Sequence, residues 1–248
     1  MSQTLISTPL DVDNIATEDD TPVDNLFSEK QQRLLTETLY SSWNETGSES
    51  QRTVARRMFL AASNVGLFPS VHQPPLVPDM FLSLDVEVAD DWYEKSHRSY
   101  FFWEFGKAPE VVIEIVSNRK GHELGSKLHD YARIGVAYYV VHDLTTQLSD
   151  EVVRVYELYV GKYQRRADTI LPGVALGLRL WEGAYEGKQA LWLRWCDESG
   201  ALIPTGAERA RHETERARHE AERAQREMER AERLAAKLRE LGIDPDQV

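Results

Sequence analysis

The chain has 248 residues, a formal net charge of -12 and 42% hydrophobic residues. That apolar share supports a real core and excludes a wholly disordered chain, and the length suits one large domain or one domain with an appendage. The acidic balance argues against tight, sequence-blind nucleic-acid binding, which rests on Lys and Arg neutralising phosphates; it leaves room for a nuclease whose metal offsets charge locally.

Cys196 is the single cysteine, so an intramolecular disulfide is excluded and a reducing compartment fits. The opening MSQTLISTPLDVDN lacks the apolar stretch of a leader. No apolar run approaches the roughly 20 residues that span a bilayer. A cytoplasmic protein is expected.

Three regions are predicted: a disordered lead-in over 1–27, a folded domain over 28–204, and a Glu/Arg/Ala-rich helical tail over 205–248. Ser28, with Gln31 three residues on, predicts the start of a helix over 29–43, whose Leu34, Leu35, Leu39 and Trp43 recur at helical spacing. A second helix is predicted over 51–64, ended by Gly66. Pro74, Pro75 and Pro78 remove backbone donors and predict an edge strand or turn. Residues 79–84 follow as a strand, with Met80, Leu82 and Leu84 on one face and Asp79, Phe81 and Ser83 on the other. The long charged and aromatic stretch after it is expected over one end of the sheet, anchored by residues 100–103.

Residues 110–117 are β-branched and nearly continuously apolar, as in a central strand covered on both faces. A helix over 122–134, capped by Gly135, leads to a strand over 136–142. Strand, helix, strand at this length predicts a right-handed crossover between parallel strands. Beyond Asp143 the pattern is all-β: a hairpin of 152–160 with 162–166 around Gly161, then short strands over 174–181 and 190–195, with Trp181, Trp192 and Trp195 on a sheet. From Ala207 the tail carries a heptad seam of small residues, with Glu222/Arg226 and Glu229/Arg233 in favourable i, i+4 order. The helix is predicted, and a coiled-coil homodimer and a solvated single helix stay equally open.

Three polar residues interrupt apolar patterns. Asp79 opens a strand, Glu114 lies inside an apolar run, and Lys127 falls on the inward helix face with Leu124, Leu128, Tyr131 and Ile134. A charge so placed costs several kcal/mol unless compensated. One divalent cation held by Asp79 and Glu114, with Lys127 beside it, would account for all three. The ordinary alternatives are a turn carboxylate at Asp79, a strand ion pair at Glu114 and a snorkelling Lys127. Ser117 is expected to cap the following helix, with positioning of a phosphate as the alternative; Glu123 is expected to pair with Lys127, with support of a site residue as the alternative; and Tyr131 is expected in the core with its hydroxyl able to reach a site residue. The seven histidines lack metal-ligand spacing, and Cys196 lacks a catalytic partner.

Pro78-Asp79, then Glu114-Ile115-Val116-Ser117, then Lys127, Tyr131 and Gly135-Val136 before a strand together resemble the Uma-type restriction endonuclease family, within the PD-(D/E)XK nuclease superfamily. The resemblance covers about residues 28–195 and is strongest over 77–143. It implies an α/β, restriction-endonuclease-like mixed sheet flanked by helices. It also implies that Asp79 and Glu114 bind Mg2+ (Mn2+ possible) and that Lys127 serves the attacking water. Val116 stands where the superfamily pattern places lysine; the family takes that lysine from the following helix. The implied activity is Mg2+-dependent hydrolysis of DNA phosphodiesters by Asp79, Glu114 and Lys127. The alternative is a catalytically inactive nuclease-fold protein acting in protein assembly through its C-terminal helix.

Overall fold

The structure is a computed structural model that describes residues 25–43, 58–91, 93–94, 97–117 and 124–241. Its centre is a pair of strands, β5 (Val111–Ile115) and β6 (Tyr138–His142), buried at every position and parallel in register from Val111/Tyr138 to Ile115/His142. Helix α3 (Ser126–Ile134) connects them and stops at Gly135, whose φ of 88° is a left-handed cap best taken by a residue without Cβ. Residues 122–123 of the predicted helix, with Glu123, lie outside the described residues, and Leu124 and Gly125, predicted as helix, form a turn before it.

Strand β3 (Met80–Leu84) runs antiparallel on the other side of β5. Met80, Leu82 and Leu84 pack with Leu35 and Leu39 of helix α1 (Leu26–Ser42), while Phe81 packs with Val112, Val116, Tyr131 and Tyr139 on the opposite face. The two predicted faces are thus the two covered faces of one sheet, one under α1 and one under α3. Pro78 precedes the strand, so its missing N–H costs no ladder bond. The hairpin around Gly161 forms from β7 (Val153–Tyr159) and β8 (Lys162–Arg165). With β1 (Phe59–Ala62) the sheet has six strands in the order β1-β3-β5-β6-β7-β8.

Residues 59–62 correct the predicted second helix. They form β1, paired with β3 from Phe59/Leu84 to Ala62/Phe81. Pairing to the otherwise open edge of β3 outweighs a helical pattern that is only locally encoded. Residues 51–57 lie outside the described set. Gly66 is not a helix stop: a Cβ there would come within 2.9 Å of the Phe68 ring, and its carbonyl accepts from Tyr100 N at 3.0 Å.

The start of α1 is a second correction. Asn25, not Ser28, is the N-cap, accepting from the amides of Phe27 and Ser28, and Ser28 is buried inside the helix. Phe27 stacks on Trp192 with ring centroids 5.5 Å apart, which favours the earlier start. Residues 25–27, predicted as lead-in, therefore belong to the start of α1, and residues 1–24 lie outside the described set.

Segment 97–105 is anchored by Tyr100, which is buried, shares a hydrogen bond with Ser83 and stacks on Phe105 at 4.4 Å. Trp103, expected as a further anchor, is exposed. Strand β4 (Tyr100–Phe101) pairs with β2 (Leu67–Phe68), and a short helix α2 (Phe102–Phe105) follows.

The two short strands predicted over 174–181 and 190–195 are arms of one long hairpin, β10 (Leu176–Tyr185) and β11 (Lys188–Cys196). Glu186 and Gly187 turn it with φ of 44° and 74°, as two-residue hairpin loops require. Val174 lies in a 3-10 turn, and β9 (Ile170–Leu171) completes this second sheet. β11 docks on α1: the Gln31 side chain bonds both the amide and the carbonyl of Leu193, and Trp195 Nε1 donates to Leu35 O.

The chain divides into two compact units, 1–203 and 204–248. The second contains α4 (Gly206–Glu240), opened by a capping box between Thr205 and Glu208 and without a buried residue. Arg226 meets Glu222 at 3.6 Å as predicted, whereas Arg233 Nε bonds the Glu229 carbonyl. Such i, i+4 contacts and a sound cap support a helix that buries none of its residues.

Candidate active site

Strand register brings the two acids together. β3 and β5 pair Phe81 with Val112 and Met80 with Ile113. Asp79 directly precedes β3, and extending this register by one step sets it level with Glu114. Asp79 Oδ2 accepts from the Ile115 amide at 2.6 Å, and Oδ1 accepts from Gln32 Nε2 at 3.2 Å. Gln32 Oε1 in turn accepts from Asn64 Nδ2 at 3.0 Å. Asn64 has a φ of 55°, a conformation Asn tolerates, and its amide donates to the Pro78 carbonyl.

Glu114 is 1% exposed. Lys127 Nζ donates to its Oε2 at 2.9 Å and the Tyr131 hydroxyl to its Oε1 at 2.7 Å. Both donors come from α3, four residues apart and therefore on one helix face. A carboxylate this deep is tolerable only with such partners. The Lys127 side chain is 33% exposed, so this ion pair joins a buried carboxylate to a partly exposed lysine. Burial first, and then the negative charge of Glu114, hold the Tyr131 hydroxyl well above its ordinary pKa of 10; the Asp79 charge adds to this. Tyr131 therefore stays protonated and acts as a donor.

Glu114 and Lys127 meet on the α3-covered face of the sheet, whereas Asp79, just before β3, bonds Gln32 of α1 and the Ile115 amide. Ser117 lies just beyond β5. His142 lies on the opposite face, near Phe27. Cys196 is buried, and burial pushes its thiol up, which suits an inert residue. His212 and His219 are exposed on α4. Sequence reasoning missed Gln32 and Asn64. The available signal was Gln32 at i-3 from Leu35 and i-7 from Leu39, a polar residue on the apolar stripe of α1.

Among the described residues no group of three or more His, Cys, Asp or Glu is arranged to hold a metal. Two carboxylates are nevertheless enough for Mg2+, which takes oxygen ligands and usually keeps several waters. A carboxylate offers about four lone-pair sites, and the bonds from Lys127 and Tyr131 use two of those on Glu114. The donor chemistry of Asp79 and Glu114 therefore fits a hard divalent cation.

No helix among the described residues is long and apolar enough to cross a membrane. A comparison with curated proteins gives no match. Residues 20–177 match the Uma2 family model, described as "putative restriction endonuclease". The matched stretch contains the sheet, both flanking helices and every residue of the carboxylate site, and the chain belongs to the Uma2 family of restriction-endonuclease-like proteins.

Proposed function

We propose that this protein is a metal-dependent DNA endonuclease in which Asp79 and Glu114 hold Mg2+, with Mn2+ able to replace it, and Lys127 serves the phosphoryl group or the attacking water. The observation that carries the reading is Glu114. It is buried on a central strand, faces the strand that Asp79 opens, and is bonded to the one ammonium that the α3 helix directs at it. A cation bound there would lower the pKa of its water and offset charge on the phosphoryl oxygens.

The protein's own groups do the rest. The Ile115 amide fixes one oxygen of Asp79. Tyr131 holds Glu114 from the buried side, and Lys127 holds it from the open side. The ammonium can therefore turn from Glu114 to a phosphate oxygen without leaving the site, adding electrostatic stabilisation where charge develops. The net charge of -12 makes DNA affinity weak and dependent on the cation.

Cleavage of supercoiled and linear DNA with Mg2+ or Mn2+ tests the reading. Asp79→Ala and Lys127→Ala are each expected to lose on the order of 10²-fold or more in rate, the scale for removing one group that stabilises developing charge. Cutting that persists in Asp79→Ala would refute the site. A wild-type chain that neither cuts DNA nor binds metal would refute the activity and favour an inactive nuclease fold acting in assembly through α4. Sedimentation of the chain cut near residue 205 would then read out a tail-driven homodimer.

A further inference from the structure

We propose that Gln32 is a positioning residue for Asp79, held in its own orientation by Asn64, so that the first helix sets the aim of the metal-binding carboxylate. The proposal rests on the metal-dependent reading above and adds to it a role for two residues outside the strands.

A carboxylate turns easily about its terminal torsion, which is broad and roughly two-fold. Asp79 is pinned at both oxygens by donors from different elements: the main chain of β5 at Oδ2 and the α1 side chain at Oδ1. Two donors fix the carboxylate plane, and with it the direction of the remaining lone pairs. Gln32 alone could present either its oxygen or its nitrogen. The Asp79 carboxylate only accepts and so takes the Gln32 NH2, while Asn64 Nδ2 donates to the Gln32 Oε1 left on the other side, and the two contacts together hold the amide in one orientation.

Gln32 is 4% exposed, so bulk water cannot replace it. The adjacent Gln31 and the Leu35 carbonyl tie this part of α1 to β11, which mounts the amide on a fixed element. The residue type matters as well. A Lys or Arg at position 32 would neutralise Asp79 and compete with a cation. A Glu would set two carboxylates against each other. A neutral amide gives direction and leaves the negative charge for the metal.

The test measures Mn2+ affinity of the full chain by electron paramagnetic resonance, with thermal unfolding in the absence of metal as a control for folding. Gln32→Met is expected to weaken Mn2+ binding about 10-fold or more, the usual scale for losing a partner that orients a metal ligand. Asn64→Gly, which keeps the positive φ accessible, should weaken it less. The double variant should match Gln32→Met alone, because Asn64 acts through Gln32. Wild-type affinity in a folded Gln32→Met chain, or independent and multiplying losses in the double variant, would overturn the proposal. If Gln32→Met does not fold, the exposed Asn64 carries the test, and unchanged affinity in Asn64→Gly overturns it. Absence of Mn2+ binding by the wild type would instead bring down the metal reading, and this proposal with it.

Discussion

Glu114 and His142 are two buried titratable side chains on neighbouring strands, and the molecule treats them in opposite ways. In the β5/β6 register, His142 stands across from Ile115, next to Glu114. Glu114 faces α3 and has a donor on each oxygen. His142 faces the α1 side, fully buried near the Phe27 ring, and neither ring nitrogen has a hydrogen-bond partner among the described residues. Burial depth is the same for both, so depth does not mark a functional group. The surroundings differ: one face offers donors to a charge, and the other leaves the imidazole only its neutral form.

The largest effect expected from a change near this pair calibrates what a partnered buried charge is worth. Asp143, directly after His142, is fully buried and accepts from the Gln147 and Leu148 amides and from Arg154 at 3.1 Å. Asp143→Ala leaves the 2%-exposed Arg154 guanidinium without its carboxylate. A loss of roughly 3–5 kcal/mol in urea unfolding is expected. A loss below about 1 kcal/mol would mean that Arg154 escapes to water.

His142 gives the next effect, through pH. Burial lowers its pKa from 6.5 to about 4, with the charge of Asp143 working against the shift. The unfolded chain takes up a proton near 6.5 and the native chain only near 4. His142 therefore contributes no pH dependence above 6.5, and it drains stability as pH falls from 6.5 to 4, by roughly 3 kcal/mol in all. His142→Leu should flatten that slope between pH 6.5 and 5, where few carboxylates titrate. An equal slope in wild type and variant would show that the imidazole finds a partner after all, and the contrast with Glu114 would collapse.

The smallest effect sharpens the other side. Tyr131→Phe deletes one of the two donors to Glu114 and keeps the ring in place. A cost of about 2 kcal/mol is expected, in the range for a hydrogen bond to a charged group. Thermal unfolding at neutral pH reads it. A neutral result would assign the tolerance of Glu114 to Lys127 alone.

The parts of this site that could be read in the sequence are those encoded over a few residues. An acid interrupting a β-branched run, a lysine on an apolar helix face and a glycine after that helix are local signals, and Glu114, Lys127 and Gly135 were found from them. The pairing of Asp79 with Glu114 needed only the expectation that their strands are neighbours. What escaped depends on distant partners. Residues 59–62 become a strand because β3 offers an edge. Asn25 outcompetes Ser28 as a cap in a structure where Phe27 meets Trp192, far along the chain. Gln32 looks like any helix glutamine until β3 places Asp79 against it.

Lys127 and Tyr131 are two pins on one helix that fit the two oxygens of a single carboxylate. That arrangement sets a rule for how this chain can vary by insertion and deletion. Adding or removing one residue between positions 127 and 131 would rotate one pin about 100° away from the other, and no single carboxylate could then receive both. The four-residue interval is thus a fixed length in the chain, whatever happens to the side chains between its ends.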